Sequence, residues 1–255
     1  MKPDYFSLAG KRAVITGASR GIGAAIAEAF AVYGAEVALV SRKLEGLQDV
    51  AAKITKSGGK AIPFQANVKE ISELPKLVEN IIAKFGQIDI LVNNAGGNPA
   101  IGPVLDTKEQ AWDKLFDLNL KGVFFLSQLV GKQMIGTGGG SIINMSSNRG
   151  VRPGATGIGP YAISKAAVLM LTKVMASEWG QFNIRVNCIA PGLVKTKFSQ
   201  ALWSDPSYLE DTISLQPINR IGTPEDIVGA AIYLAGETSS YMTGETILID
   251  GGRLI

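Results

Sequence analysis

Short Val/Ile/Leu-rich runs alternate with longer segments of helical period along this chain of 255 residues, and that alternation restricts its fold more than any other feature. "RAVITG", "EVALVSR", "KAIPFQA", "IDILVNN", "GSIINMSS", "IRVNCIAPG" and "ETILIDGG" read as strands. Between them apolar residues recur near every 3.6 positions, as at Leu74, Leu77, Val78, Ile81, Ile82 and Phe85. Strands this apolar suit a sheet covered on both faces, and strand-helix alternation implies parallel pairing through right-handed crossovers. The expectation is an α/β protein with one doubly wound domain over 1–255. It would have a seven-stranded parallel sheet and about six helices, placed on both faces. At 46% hydrophobic and 18% charged residues the chain can fill such a core. "GTGGGS" before Ser141 is too short to join two domains and reads as a turn.

Lys and Arg (25) exceed Asp and Glu (22) by 3, and the cations are scattered, which argues against nucleic acid or a membrane surface as partner. Cys188 is the one cysteine; it has no internal disulfide partner, fits a reducing compartment and reads as a small core residue. "MKPDYFSLAGKRAVITG" shows no apolar signal core, no stretch suits a bilayer span, and "GGRLI" matches no receptor-read address, so a cytoplasmic protein is expected. The chain has no histidine, which removes Ser-His-Asp and Cys-His nucleophile systems and every His-ligated metal site. No metal is expected. Proton transfer, if there is any, falls to Tyr161 and Lys165, one helical turn apart in "GPYAISK".

In an open parallel sheet, ligands bind just past the carboxyl ends of the strands near the switch point. The first strand runs into "TGASRGIG", where Gly17, Gly21 and Gly23 allow a tight turn, close approach of a pyrophosphate and close packing of helix on strand. Ser19, Arg20 and Ile22 share that turn and are expected to line the same ligand. The second strand ends in "LVSRK", where an acid would normally accept from an adenosine ribose hydroxyl. Ser41 and Arg42 stand there instead, with Arg20 nearby, and such a set welcomes a 2'-phosphate; NADP(H) is expected over NAD(H).

With these residues in view, the sequence resembles the classical short-chain dehydrogenases/reductases over nearly its whole length. Thr16 to Gly23 is similar to the family's Thr-Gly-x-x-x-Gly-x-Gly turn, "NNAG" at Asn93 to Gly96 to its motif after the fourth strand, and "YAISK" to its Tyr-x-x-x-Lys. "SS" at 146 and 147 and "PG" at Pro191 and Gly192 follow in the family's order. The resemblance implies a Rossmann-like fold and an oxidoreductase that interconverts a ketone and a secondary alcohol by hydride transfer. It implies Tyr161 as acid/base, Lys165 as its activator and a ligand of the nicotinamide ribose, Ser147 as the hydroxyl polarising the carbonyl, and Asn119 as holder of a water relay. It further implies that Asn94, Ala95 and Gly96 line the adenosine ribose and diphosphate, and that Pro191, Gly192, Val194 and Thr196 wrap the nicotinamide. A homo-oligomer is implied as well, a tetramer before a dimer. Two positions depart from the pattern. Ser147 lies 14 residues before Tyr161 where many members have 13, which leaves Ser146 as a weaker candidate. Asn67-Val68 replaces the usual aspartate at adenine, although the Asn67 carbonyl oxygen can still accept from the adenine amine.

A tyrosine acting as a base near neutrality must lose about 2.5 pKa units, roughly 3.4 kcal/mol, and a cation about 4 Å away supplies about 4 kcal/mol at an effective dielectric of about 20. Lys165 offers that pull, while desolvation of the phenol opposes it. Two rival readings stay open: a non-catalytic NADP-binding sensor or scaffold on the same fold, and an enoyl reductase. A substrate lid is expected at about 193–217, with Phe198, Leu202, Trp203 and Tyr208 as pocket, core or subunit-contact residues. Arg149 and Arg152 read as solvated surface charge, with an anionic substrate group as the alternative.

Overall fold

The computed structural model describes residues 5–98, 102–154 and 157–255. Met1 to Asp4 of the amino-terminal stretch and Ala155 and Thr156 of the loop between Ser147 and Tyr161 lie outside the described residues. Seven parallel strands form one sheet: β1 (Arg12–Thr16), β2 (Glu36–Ser41), β3 (Lys60–Gln65), β4 (Ile90–Asn93), β5 (Gly140–Met145), β6 (Ile184–Pro191) and β7 (Thr246–Ile249). Their order, β3-β2-β1-β4-β5-β6-β7, reverses direction between β1 and β4. Each expected strand is present, because each apolar run is bounded by residues that end a ladder. Pro63 is tolerated in β3 because that strand is an edge.

Ten α-helical segments stand among the described residues, against about six expected. The six longest are the crossovers: α1 (Gly21–Val32), α2 (Glu45–Lys56), α3 (Leu74–Phe85), α5 (Gly122–Thr137), α7 (Gly159–Trp179) and α10 (Glu225–Ala235). The others are α4 (Glu109–Phe116), α6 (Asn148–Val151), α8 (Gln200–Trp203) and α9 (Pro206–Ser214), too short for their period to stand out in sequence. Residues Asp117–Lys121 make a π-helical turn joining α4 to α5, with Asn119 buried in it.

Alternation along each strand sends side chains to two cores. Ile15, Leu39 and Val92 pack with Ile26 and Phe30 of α1, Leu47 of α2 and Ile227 of α10. Val14, Val40 and Leu91 pack on the other face with Leu77 and Ile81 of α3, Leu126 of α5 and Met175 of α7. Cys188 lies fully buried in β6, and burial pushes its thiol up to about 12. No helix among the described residues is long and apolar enough to cross a membrane.

Candidate active site

Past the carboxyl ends of the strands lies a cavity of about 720 Å³. Gly17, Ser19, Arg20, Gly21 and Ile22 line it from the turn between β1 and α1, and Ser41 and Arg42 from the end of β2. Asn67 and Val68 follow β3, and Asn94, Ala95 and Gly96 follow β4. Ser147, Tyr161 and Lys165 line the middle, and Pro191, Gly192, Val194 and Thr196 the far side. Of the expected site residues only Gly23 and Asn119 do not line the cavity.

Gly23 acts from behind. A Cβ there would overlap the Gly17 carbonyl oxygen and the Asn94 amide, so this glycine lets helix and turn close on each other. Gly17 and Gly21 take the left-handed conformation, with φ of +67° and +60°. The residue preceding α1, Arg20, makes no side-chain capping bond, and the helix carries no acid in its first turn. Its amino-terminal N–H groups are therefore available to an anion, as a pyrophosphate requires.

Asn119 sits one layer below. Its Nδ2 donates to the Gly97 carbonyl (2.9 Å) and to Ser164 Oγ (3.1 Å), and its Oδ1 accepts from Gly97 N–H (2.9 Å). A side chain at Gly96 would lie 3.5 Å from both Asn119 Oδ1 and Lys165 Nζ, so Asn119 and the ammonium flank the same glycine.

The Lys165 ammonium donates to the Met145 carbonyl at 2.8 Å and lies 5.8 Å from the centre of the Tyr161 ring. Ser146 Oγ donates to the Lys165 carbonyl at 2.7 Å, which makes Ser146 an anchor for α7 rather than a group free to meet substrate. Ser147 precedes α6; its Oγ accepts from Arg149 N–H (3.1 Å).

Burial governs the electrostatics. The enclosure around Tyr161 pushes its phenol up to about 12, while hydrogen bonding from Ser147 and then the charge of Arg149 pull it down. Desolvation lowers Lys165 from its ordinary 10.5 to about 8. The attraction expected from Lys165 on Tyr161 is thus outweighed in the protein alone, and the downward pull comes from Ser147 and Arg149.

Sequence reasoning missed Lys43, Asn98, Gln216 and Arg253, all of which line the cavity. Arg253 lies just past β7, and inspecting the end of that strand like the others finds it. The lid expectation divides. Phe198, Leu202 and Tyr208 line the cavity, and the Phe198 ring lies 6.3 Å from that of Tyr161. Trp203 does not; its indole N–H donates to the Thr196 carbonyl (2.9 Å) and its ring lies under Lys195, so it braces the segment that precedes α8. Arg149 lines the cavity, whereas Arg152 is exposed and apart from it.

Cations face the cavity at both ends and no Asp or Glu does among the described residues. Arg20, Arg42 and Lys43 stand at one end, Lys165 in the middle, and Arg149, Lys197 and Arg253 beyond it. The ion pairs found among the described residues use other cations. Asn67 Oδ1 is buried and without a partner, an acceptor suited to an adenine amine. The glycine turn, the open α1 terminus, this acceptor and the acid-free end of β2 together fit a dinucleotide with an extra phosphate.

The family profile described as enoyl-(acyl carrier protein) reductase matches residues 17–253. The chain is 40% identical over 245 residues to dehydrogenase/reductase SDR family member 4 of Oryctolagus cuniculus, covering 96% of this chain and 94% of that protein. It is 39% identical over 250 residues to an NAD-dependent glycerol dehydrogenase of Listeria innocua, covering 98% and 96%. Among solved structures, a gluconate 5-dehydrogenase of Burkholderia cenocepacia in complex with NADP and tartrate superposes with a TM-score of 0.94 at 36% identity, over 98% of this chain and 97% of that one.

The buried ammonium has a consequence for stability. Below about pH 8 Lys165 is charged in both folded and unfolded chains, and the folded state carries its full desolvation cost. Between there and 10.5 the folded chain sheds the proton first, the unfolded chain holds more protons, and this group's contribution to stability rises with pH. Lys165→Met removes that dependence. The melting temperature of the variant minus that of the wild type is expected to fall between about pH 7 and about pH 10, read by calorimetry. A flat or rising difference would show that Lys165 is not desolvated.

Proposed function

The chain belongs to the short-chain dehydrogenase/reductase family and is a dehydrogenase/reductase, and we propose that it interconverts a ketone and a secondary alcohol, taking NADP(H) in preference to NAD(H). The observation that carries this reading is the meeting of Ser147, Tyr161 and Lys165 at the middle of a cavity whose one arm ends among Arg20, Arg42 and Lys43.

When bound, NADP(H) supplies or takes up the hydride. Tyr161 gives its proton to the carbonyl oxygen in reduction and takes it from the alcohol in oxidation. Ser147 donates to the same oxygen and so stabilises the charge that develops there. Lys165, held by the Met145 carbonyl, holds the nicotinamide ribose and keeps a positive charge behind the phenol. Asn119 positions Gly96 and Gly97 around that ammonium and supports a water relay toward it. Arg20, Ser41, Arg42 and Lys43 take the 2'-phosphate, with the Ser41 hydroxyl steadied by its 2.8 Å bond to the Lys43 carbonyl. Asn67 and Val68 meet adenine; Asn94, Ala95 and Gly96 line the ribose and diphosphate; Pro191, Gly192, Val194 and Thr196 wrap the nicotinamide.

Because one relative is NAD-dependent by name and another was solved with NADP, the choice of cofactor rests on the cations at β2 of this chain. The matching profile is described as an enoyl reductase; the carbonyl reading is preferred because the Ser147 hydroxyl and the Tyr161 phenol line the same cavity, where both can donate to one oxygen. A non-catalytic sensor would have no need of that pair together with Lys165. The protein is also read as a homo-oligomer, a tetramer before a dimer, since α7 presents Ile163, Met170 and Val174 to solvent in one stripe.

Tyr161→Phe is expected to lower kcat for ketone reduction by about a hundred- to ten-thousand-fold while NADPH still binds. With the phenol held high, reduction should persist through neutral pH and alcohol oxidation should climb with pH; wild-type turnover in the variant would end the assignment. Arg42→Asp is expected to weaken NADPH binding about tenfold or more relative to NADH, measured by fluorescence titration of both cofactors. An unchanged ratio would move the phosphate site elsewhere. Light scattering should give a mass of several chains, and a mass of one chain would overturn the oligomer.

A further inference from the structure

The three cations near β2 have an occupant in the proposed cofactor; those at the other end of the cavity do not. Arg149 follows Ser147 on α6, and its guanidinium lies against Gly154, where any Cβ would overlap it. Its charge reaches the Tyr161 phenol. No side-chain hydrogen bond or ion pair engages Arg149 among the described residues; only its backbone N–H is used, by Ser147.

Arg253 enters from the loop after β7, which Gly251 and Gly252 turn with φ of +68° and +83°. The adjacent carboxylate, Asp250, is already committed. Its Oδ1 accepts the backbone N–H groups of Gly252 (3.1 Å) and Arg253 (3.2 Å), and its Oδ2 accepts from Asn148 Nδ2 (3.3 Å). Arg253 Nε is left buried and without a partner at the cavity wall. A guanidinium at a cavity wall whose Nε has no protein partner is short of acceptors, and its planar fork matches a carboxylate or phosphate that enters the cavity.

We propose that the substrate is an anionic ketone or alcohol, its carboxylate or phosphate held by Arg253, with Arg149 adding positive charge beside Tyr161. This rests on the ketone-alcohol reading of the same cavity. It also corrects the sequence-based pairing: Arg152 keeps its solvated place, and Arg253, a hundred residues away in sequence, takes the role considered for it.

The test is calorimetric binding to the NADP⁺ complex, which cannot reduce a ketone. The probes are short-chain keto acids against their own methyl esters, and dihydroxyacetone phosphate against dihydroxyacetone. The acid of a matching pair is expected to bind about tenfold or more tighter than its ester. Whichever pair shows the larger ratio identifies the anion. In Arg253→Gln that ratio should collapse toward one, Arg149→Gln should reduce it, and Arg253→Lys should recover part of it. Should Arg253→Gln not fold, the wild-type ratio and the lysine variant decide. Equal binding of every charged and neutral pair, failure of all of them to bind, or a folded Arg253→Gln with the full ratio would overturn the proposal. Parallel NADPH oxidation separates the two readings: selective anion binding without turnover would support the anion site and overturn the ketone assignment.

Discussion

The Asn94 side-chain amide donates to the carbonyls of Thr16 (2.9 Å) and Gly17 (3.3 Å), and the geometry of the cavity hangs on that junction. Thr16 Oγ1 reciprocates by accepting from the N–H groups of Asn94 and Ala95, each at 3.0 Å, and donating to the Val92 carbonyl (3.3 Å). These bonds join the ends of β1 and β4, the pair across which the strand order reverses. They also explain the glycines. A Cβ on Gly17 would stand 2.8 Å from Asn94 Nδ2, and one on Gly23 would overlap the same atom, so the turn can approach β4 only without side chains. The glycine turn after β1 and the end of β4 are therefore locked together by hydrogen bonds and close contact.

A second polar layer lies beneath the first and fixes α7. Asn93 Nδ2 donates to Ser127 Oγ (2.8 Å) and Asn144 Oδ1 (2.9 Å), and Asn144 Nδ2 donates to Thr172 Oγ1 (3.0 Å). Buried amides bonded to one another in this way favour one register of strands and helices, because any slip would orphan them in a low-dielectric interior. Nearer the cavity, Lys165 is gripped at both ends by neighbouring residues: its carbonyl by Ser146 and its ammonium by the Met145 carbonyl. Gly150 admits this close approach, since a Cβ there would lie 2.6 Å from the Lys165 carbonyl carbon. The candidate proton donor is thus placed by backbone and amide contacts, with little left to side-chain freedom.

Much of this was legible in the sequence because it depends on local pattern. Apolar runs become strands, glycines with left-handed φ mark the turn, and Tyr161 and Lys165 share a helical face whatever the tertiary context. What escaped depends on how distant elements meet. The π-helical turn at Asp117–Lys121 has no compositional sign, and neither has the approach of Gly122, just after it, to the Val68 carbonyl oxygen, which leaves no room for a Cβ. Phe198 and Trp203 look equivalent in sequence, yet the Phe198 ring lies near that of Tyr161 while the Trp203 indole turns back to the Thr196 carbonyl. The displaced effect of Lys165 on Tyr161 was likewise invisible: spacing places the two side chains together but says nothing of how much water the fold removes from each.

That removal of water matters because the cavity supplies no negative charge of its own. Where a carboxylate faces a cation, the pair satisfies itself, and an incoming anion must displace one partner. Here Arg20, Arg42, Lys43, Arg149 and Arg253 face the cavity without an acid among the described residues that line it. The protein therefore presents a positive field that ligands alone can neutralise, and in a cleft with apolar walls such a field is focused rather than screened. Burial, and not the excess of cations, sets the state of the candidate reaction centre: it holds Tyr161 protonated against the downward pull of Arg149, and it eases Lys165 toward neutrality. A cavity built this way keeps the Tyr161 phenol protonated and presents to whatever enters it cations that no carboxylate of its lining neutralises, among the described residues.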